Sequence, residues 1–257
     1  MGSVGGTVLK QQMASSAARL IPGAHALWRS LRYYFAINNH YVLTKLKLLL
    51  FPWQHPRWVR EHGDEDSMRE FGSPYAPATR DINAPDMYIP AMSFITLVLV
   101  TALIKGATMD FTPETLGEVT TVNLGMLTFE VLLYKVALWV LNSAQLSTLD
   151  LVAYSGYKFF GMTVSMLVGL LLGSMAYHIC LLYTGAVMFR LIFNTFAECL
   201  KGKSHALAAQ KRRYFFILAG VMQIVLMWWG GEAPASAPAS AGGAGYAAGG
   251  SFGSGSA

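Results

Sequence analysis

Four ionisable side chains lie within the long apolar runs of the sequence: Glu130, Lys135, Lys158 and Arg190. A charge in hydrocarbon costs several kcal/mol near the centre of a helix, so each of these groups needs a partner or a route to water. Glu130 is the only acid at that depth, and Lys135 lies about 140° around the same helix, too far for a pair. We therefore predict that Glu130 pairs with Lys158 of another helix. Lys135, Lys158 and Arg190 also approach the predicted cytoplasmic leaflet, where snorkelling would satisfy them.

Two interpretations of the pair between Glu130 and Lys158 stay open. It is either a structural link between helices or the polar centre of a proton or ion pathway, which would make the chain a small transporter or channel. A single acid, without a second acid or histidine in a neighbouring run, favours the structural link.

Small residues recur at every fourth position of one apolar run, at Gly161, Ser165, Gly169 and Gly173. A face of small residues lets two helices approach closely, which is how membrane-spanning helices associate without a hydrophobic driving force. We predict a helix-packing face here, directed either at the chain's own helices or at another membrane subunit.

We find no sequence pattern typical of an enzyme or of a metal site. HExxH and P-loop motifs do not occur, and Cys180 and Cys199 lack metal-binding spacing. His178 is interpreted as an interfacial side chain. We therefore predict a protein without catalytic residues, without metal ligands and without a cofactor.

The composition points to lipid as the solvent of most of this chain. Hydrophobic residues make up 54% of the 257 positions and charged residues only 13%, with a mean hydropathy of +0.41. Soluble chains carry about a quarter charged residues. We predict an all-α polytopic membrane protein with about five transmembrane helices, preceded by short cytosolic amphipathic helices. The apolar runs that define the spans are 87–104, 119–141, 152–172, 175–196 and 214–229.

The distribution of Lys and Arg gives the orientation and excludes nucleic acid as a partner. Ten of the 19 basic residues precede position 87 and five more lie within 201–213. Most of the basic residues behind the net charge of +5 therefore lie in segments that flank the apolar runs. Both basic segments are predicted to be cytosolic because four crossings separate them, and the acidic loop 105–118 is predicted to be luminal. The resulting domains are a cytosolic N-terminal region at 1–86, a five-span membrane domain at 87–230 and a disordered luminal tail at 231–257.

The N-terminal region contains two amphipathic patterns. Apolar residues recur with helical spacing over 27–35 and 42–50, with basic residues off each stripe. These helices either lie in the headgroup region, where they could shape the membrane, or pack on the membrane domain. The charged stretch 61–85, with its Pro and Gly residues, is predicted to be a surface loop. The first 30 residues lack the apolar segment of a secretory signal, so the first span is expected to direct insertion.

Three stretches of the sequence carry a recognisable pattern. They are residues 34–52, from Tyr-Phe-Ala to Leu-Leu-Leu-Phe-Pro; residues 81–90, Asp-Ile-Asn-Ala-Pro-Asp-Met-Tyr-Ile-Pro; and residues 146–158, from Leu-Ser-Thr to Ala-Tyr-Ser-Gly-Tyr-Lys. Together they resemble the YIF family, the YIP-interacting factors of the early secretory pathway. The resemblance covers about residues 20–229, with matching order and spacing to the spans. The Gly- and Ala-rich tail is outside it, and the segment before the first span is short for the family.

The resemblance implies a function as well as a topology. Members of the family are five-span proteins of the endoplasmic reticulum and Golgi. They pair with a YIP-family membrane protein, associate with Rab/Ypt GTPases and support COPII-dependent transport from the endoplasmic reticulum to the Golgi. By this resemblance, the chain is expected to be a non-enzymatic scaffold that acts as a hetero-oligomer in the lipid bilayer of these membranes and of COPII vesicles.

The motif residues lie where the first and third spans meet the cytosolic leaflet. Pro85 and Pro90 would make a rigid start to the first span, and Asp86 would cap it. Tyr154, Tyr157 and Lys158 would lie at the same leaflet. These residues either anchor helices at the interface or also shape a cytosolic face that partners recognise. The candidate residues for such a face are Asp86, Tyr88, Pro90, Tyr154, Gly156, Tyr157 and Lys158.

Overall fold

The computed structural model describes residues 24–55, 57–109, 111–141, 146–199 and 206–231. Within these ranges the chain forms nine α-helices and a short 3₁₀ turn, Pro52–Gln54, after the second helix. An isolated antiparallel bridge joins His62 and Tyr75. The helices are α1 Ala24–Tyr34, α2 Asn39–Leu50, α3 Glu65–Phe71, α4 Tyr88–Ala107, α5 Pro113–Val140, α6 Thr148–Gly156, α7 Lys158–Leu172, α8 Ser174–Cys199 and α9 Ala206–Gly230.

Five helical segments of the described chain are long and apolar enough to cross a membrane. They are α4, α5, the continuous pair α6 and α7, α8, and residues Arg213–Gly230 of α9. The prediction of an all-α protein with five spans is therefore confirmed. One boundary differs, because α5 begins at Pro113 and so includes Glu114 and Glu118, which were predicted to lie in a loop. Proline suits the first helical position, and acids there face the positive end of the helix dipole.

The third span has well-defined ends. At its start, the Ser147 hydroxyl accepts a hydrogen bond from the N–H of Leu149 at 3.2 Å, and the Asp150 carboxylate accepts one from the N–H of Ser147 at 3.2 Å. This reciprocal arrangement is a capping box. At its end, Gly173 has a φ of 90°, which lets the chain turn directly into α8.

The small residues of α7 pack mostly against α8 of the same chain. A Cβ atom on Gly161 would lie 3.1 Å from the Cβ of Thr184, and the Ser165 hydroxyl lies 3.2 Å from that of Thr184. Gly169 is buried as well. The prediction for Gly173 was wrong, because it lies in the turn after α7, where a Cβ atom would meet nothing within 4 Å. Gly173 is needed for its backbone conformation and not for packing.

Helices α1 and α2 form where the two amphipathic patterns predicted them, and α2 packs against α8. The prediction of a surface loop over 61–85 was wrong in part. This stretch contains α3, and Ala76, Ala78 and Ala84 are at most 5% exposed. Alanine side chains are small enough for the backbone to pack closely on its neighbours. The predicted tail, from residue 232 onward, and residues 201–205 of the basic loop lie outside the described residues.

Candidate functional site at the mouth of the membrane domain

Side chains from all three recognisable stretches meet where α4 begins. They form one buried set, which we name the mouth cluster: Tyr41, Lys45, Asp86, Tyr154 and Tyr157. Each of these residues is at most 5% exposed. Helix α2 supplies the first two, the loop before α4 supplies Asp86, and α6 with the residue after it supplies the two remaining tyrosines.

Asp86 lies at the centre of the mouth cluster. Its Oδ2 accepts hydrogen bonds from the hydroxyls of Tyr157 at 2.6 Å and of Tyr41 at 2.9 Å. Its Oδ1 accepts a third bond, at 2.8 Å, from the backbone N–H of Ile89 in the first turn of α4. A fully buried carboxylate is stable only when its oxygens are hydrogen-bonded in this way. Asp86 therefore caps α4 and ties α2 and α6 to the same point.

The loop before α4 is held by its carbonyl groups. The Lys45 ammonium donates to the carbonyls of Ile82 at 2.5 Å and Ala84 at 3.2 Å, and the Tyr154 hydroxyl donates to that of Asn83 at 3.2 Å. The same ammonium lies 5.3 Å from the ring centroid of Tyr157, within the range of a cation–π contact. Three successive carbonyls of the loop are therefore bound by side chains of α2 and α6.

The protonation of the mouth cluster suits binding more than proton transfer. Burial lowers the pKa of Lys45 from 10.5 to about 8, although the charges of Asp86 and Asp81 act in the opposite direction. Burial and the charge of Asp86 raise the pKa of Tyr41, so its hydroxyl remains a donor. Lys45 is only 2% exposed and is engaged with backbone carbonyls. A general acid or base would instead need to reach a substrate.

A second set of polar contacts, which we name the Asp150 cluster, holds α1 on the start of α6. The Tyr34 hydroxyl donates to Asp150 Oδ1 at 2.8 Å, and Arg60 Nη1 lies 3.5 Å from Asp150 Oδ2. Arg60 Nη2 also donates to the Tyr33 hydroxyl at 2.9 Å, which in turn donates to the carbonyl of Ala76. Burial raises the pKa of Tyr34, and the charge of Asp150 adds to the effect. Beside this cluster lies an open cleft of about 270 Å³.

A third polar set lies within the spans, and we name it the membrane triad: Glu130, Lys158 and Gln223. Lys158 Nζ lies 2.5 Å from Glu130 Oε2, and the Gln223 amide donates to Glu130 Oε1. The same amide lies 3.3 Å from the Tyr134 hydroxyl, which donates to the carbonyl of Ala219. Lys158 is 1% exposed, and the other two members of the triad are fully buried. The triad joins α5, α7 and α9.

Most of the candidate residues from the sequence are buried within the chain. Asp86, Tyr154, Tyr157 and Lys158 are at most 1% exposed. A Cβ atom on Gly156 would lie 2.7 Å from that of Pro90, so these two residues mark a close contact between α6 and α4. Tyr88 is half-buried. Snorkelling of Lys158 was a wrong expectation, because its ammonium turns inward to Glu130.

Several residues of these clusters are not apparent from the sequence. Asp150 could have been found from the Ser-x-x-Asp capping pattern that begins α6. Gln223 is uncharged and so gave no signal within an apolar run. Tyr41 and Lys45 looked like ordinary members of an amphipathic helix. Within the described residues, no three His, Cys, Asp or Glu side chains gather as a metal site.

Comparison with known proteins gives a consistent set of relatives. The family model YIF1 matches residues 3–230. Protein YIF1A of Danio rerio is 42% identical over 165 residues, which are 63% of this chain and 51% of the relative. Protein YIF1B of Homo sapiens is 40% identical over 166 residues, covering 64% and 50%.

A more distant relative, protein transport protein YIF1 of Saccharomyces cerevisiae, is 30% identical over 139 residues, covering 52% of this chain and 42% of the relative. The chain spans about half the length of the curated relatives it matches. No solved structure matches it.

Proposed function

This chain belongs to the YIF1 family, and we propose that it is a non-enzymatic membrane scaffold in vesicle transport between the endoplasmic reticulum and the Golgi. Two yeast relatives carry the name protein transport protein, which supports a role in transport. The observation that carries the proposal is the mouth cluster. The three recognisable stretches use their polar side chains to hold the N-terminal region on the membrane domain.

We place the protein in the membranes of the endoplasmic reticulum and Golgi and in COPII vesicles. The N-terminal region faces the cytosol and the C-terminus the lumen. The basic residues before position 87 and within 201–213 support this orientation, because Lys and Arg are enriched on the cytosolic side of membrane proteins. In this orientation the mouth cluster lies at the cytosolic leaflet.

A Rab/Ypt GTPase is the proposed cytosolic partner, and α1 offers a surface for it. Leu27 is 55% exposed, Trp28 71% and Phe35, just after the helix, 48%. Trp28 lies about 120–140° around α1 from Tyr33 and Tyr34, which hold the helix through the Asp150 cluster. Exposed apolar residues on a firmly held helix favour protein contact.

The Trp28→Glu variant tests this surface. We expect it to recover about tenfold less of the GTPase in pull-down with the full chain, equal to about 1.4 kcal/mol of binding. Trp28→Phe is the matched control, because it keeps an apolar ring. Equal recovery with Trp28→Glu and Trp28→Phe would remove α1 as the docking surface.

A YIP-family protein is the proposed membrane partner, and α5 offers it a face of small residues. Gly117, Thr121 and Gly125 follow one another at every fourth position and are exposed. A Cβ atom on either glycine would meet nothing within 4 Å, unlike the small face of α7. Only 28% of the most apolar window of α5 is buried, so room for another helix is available beside it.

Affinity purification from gentle detergent tests this assembly. The wild-type chain is expected to recover a YIP-family protein, whereas Gly125→Leu is expected to recover several-fold less because its side chain separates the helices. Gly106→Leu is the matched control, since Gly106 of α4 is also exposed and also lacks neighbours within 4 Å. Undiminished recovery with Gly125→Leu would reject the contact on α5. Absence of any YIP-family protein with the wild-type chain would reject the pairing.

The alternative function, a small transporter or channel, depends on Glu130. A transport pathway must bring its ionisable group to water, whereas Glu130 is completely buried and bonded to Lys158 and Gln223. We therefore favour a structural role. Loss of ion flux in Glu130→Gln at normal assembly would favour the transporter instead.

A further inference from the structure

Helix α2 points into the membrane domain and does not lie along its surface. Near its start, the Tyr41 hydroxyl contacts Asp86, two residues before the first span begins. At its end, the carbonyl of Leu50 accepts a 2.6 Å hydrogen bond from the hydroxyl of Tyr183. Tyr183 lies well inside α8, which is itself one of the spans.

The helical rise gives the depth of this contact. At 1.5 Å per residue, Tyr183 lies about 14 Å along α8 from Ser174 and about 24 Å from Cys199. The hydrocarbon core of a bilayer is about 30 Å thick. The Tyr183 backbone therefore lies near the middle of the bilayer, and a tyrosine side chain reaches only a few ångströms from it. Leu50 is well below the membrane surface.

A second helix gives the same result. The Lys45 ammonium is near the Tyr157 ring. Ser165 lies eight residues deeper along the same span, about 12 Å away, and it contacts Thr184, the neighbour of Tyr183. Helix α2 therefore descends from about the level of Tyr157 towards that of Ser165.

The chain returns to the same side of the membrane after α2. The Trp53 ring, in the 3₁₀ turn, lies 4.9 Å from the guanidinium of Arg190, two helical turns nearer to Cys199 than Tyr183. His55 Nε2 then lies 3.0 Å from Asn83 Oδ1 in the loop before α4. Residues 39–54 are thus a re-entrant helix and turn that does not cross the bilayer.

The backbone at the tip is arranged for an apolar medium. The Leu50 carbonyl is bonded to Tyr183, and the N–H of Phe51 donates to Lys47 at 2.8 Å. Pro52 has no N–H, and the next turn is closed by a 3.3 Å bond from Gln54 to Phe51. Irregular backbone at membrane depth requires such internal partners, because lipid provides none.

The open side of this segment carries three large apolar residues together with the polar Asn39, His40 and Gln54. Leu43 is 70% exposed, Phe51 46% and Trp53 56%, while Leu48 and Leu49 are buried against the spans. Leu43, Phe51 and Trp53 are the exposed residues of this segment that can contact acyl chains. Lys47 is exposed as well. Helical side chains lean towards the N-terminus of their helix, which here is the membrane surface, so the ammonium can reach water.

We infer that residues 39–54 form a re-entrant wedge whose ligand is the acyl chains of one leaflet, the leaflet on the side of the N-terminal region. A wedge in one leaflet enlarges that leaflet relative to the other, so its insertion favours a membrane curved outward on that side. This adds curvature sorting to the proposed role as a scaffold. The chain would concentrate in budding membrane even before any partner binds.

Site-directed spin labelling of the full chain in nanodiscs tests the depth of the wedge. Cys180 and Cys199, the two cysteines of the sequence, are replaced by serine, and single cysteines are placed at Phe51, Arg57 and Leu99. Leu99 is the lipid control, being 62% exposed on α4, and Arg57 is the control outside the wedge.

The label at Phe51 is expected to collide with oxygen and not with a water-soluble nickel chelate, as the label at Leu99 does. The label at Arg57 is expected to show the reverse. A label at Phe51 that behaves like the one at Arg57 would overturn the wedge. Shielding from both reagents would mean that protein covers the segment, and would overturn lipid as its ligand.

Membrane tubes drawn from giant vesicles test the sorting. With the N-terminal region on the outside, the wild-type chain is expected to be enriched in the tube over the vesicle. Phe51→Asp is expected to lose this enrichment, whereas Leu99→Asn, an exposed change on a span, keeps it. If spin labelling shows that Phe51→Asp has moved the segment out of the bilayer, and the variant is still enriched in the tube as strongly as the wild-type chain, the curvature preference of the wedge is overturned.

Discussion

The mouth cluster and the membrane triad are both buried, yet they hold different parts of the molecule. The mouth cluster uses hydroxyls, one carboxylate and one ammonium to bind backbone groups of a loop. The membrane triad joins three spans through a charge pair and an amide. The first therefore positions the N-terminal region on the bundle, and the second holds the bundle itself.

The two clusters lie in different surroundings, so the loss of a bonding side chain has a different cost in each. Near the membrane surface, water can reach an opened mouth cluster, so a lost bond costs little more than the bond itself. Within the spans, a lone charge remains in a dry environment, and the cost is the burial of an unpaired ion. We therefore expect a lost partner to have a large, global effect in the triad and a smaller, local one in the mouth cluster.

The largest effect is expected for Lys158→Met, which leaves the Glu130 carboxylate without its counter-charge. We expect a loss of about 3–5 kcal/mol in the free energy of unfolding, measured in bicelles by steric trapping. The double variant with Glu130→Gln removes the stranded charge and should recover most of that loss. If the double variant is as unstable as the single one, the ion pair is not what joins these helices.

A smaller effect is expected for Asp86→Asn, which weakens the acceptor shared by Tyr41 and Tyr157. We expect a loss of about 2 kcal/mol, confined to the docking of the N-terminal region. Limited trypsin digestion should cut faster at Arg60, which is buried in the wild-type chain, while the melting temperature of the bundle is unchanged. Asp64→Asn, at a carboxylate that is 76% exposed, serves as the control. If Asp86→Asn instead lowers the melting temperature of the whole bundle, the mouth cluster stabilises the bundle as the membrane triad does, and the distinction between the two is wrong.

The smallest effect is a pH dependence at Lys45. The folded state lowers the pKa of its ammonium to about 8 from 10.5, so the folded state binds fewer protons than the unfolded one between these values. Docking should therefore strengthen as pH rises from 7 to 8.5, by about 1 kcal/mol. Lys45→Met lacks this group and should show no such gain. If the protease protection of the wild-type chain and of Lys45→Met changes equally with pH across this range, the assigned pKa of Lys45 is wrong.

The spans could be predicted from the sequence because each depends on its own apolar run. The same reasoning about depth paired Glu130 with Lys158, and the structure brings the two together. Gln223 was missed, because an amide barely interrupts an apolar run. Lys158 was expected to reach the surface, because no local sequence signal shows that its side chain turns inward.

The mouth cluster could not be predicted because its contacts link distant residues. Asp86 lies 45 residues from Tyr41 and 71 from Tyr157. The three stretches were recognised as a pattern, but their meeting depends on how the N-terminal region returns to the bundle. Helix α2 illustrates this, since its apolar stripe predicted a helix and left open whether it lies on the membrane or packs on the spans. The contact between Leu50 and Tyr183 decides for packing.

The location of the two chain ends is the decisive measurement, because five spans that follow a cytosolic N-terminal region place the C-terminus in the lumen. Glycosylation acceptors can be placed before residue 24 and after residue 231 of the full chain in cells. Only the C-terminal acceptor is expected to be glycosylated. Glycosylation of both acceptors, which would place both ends in the lumen, would contradict it.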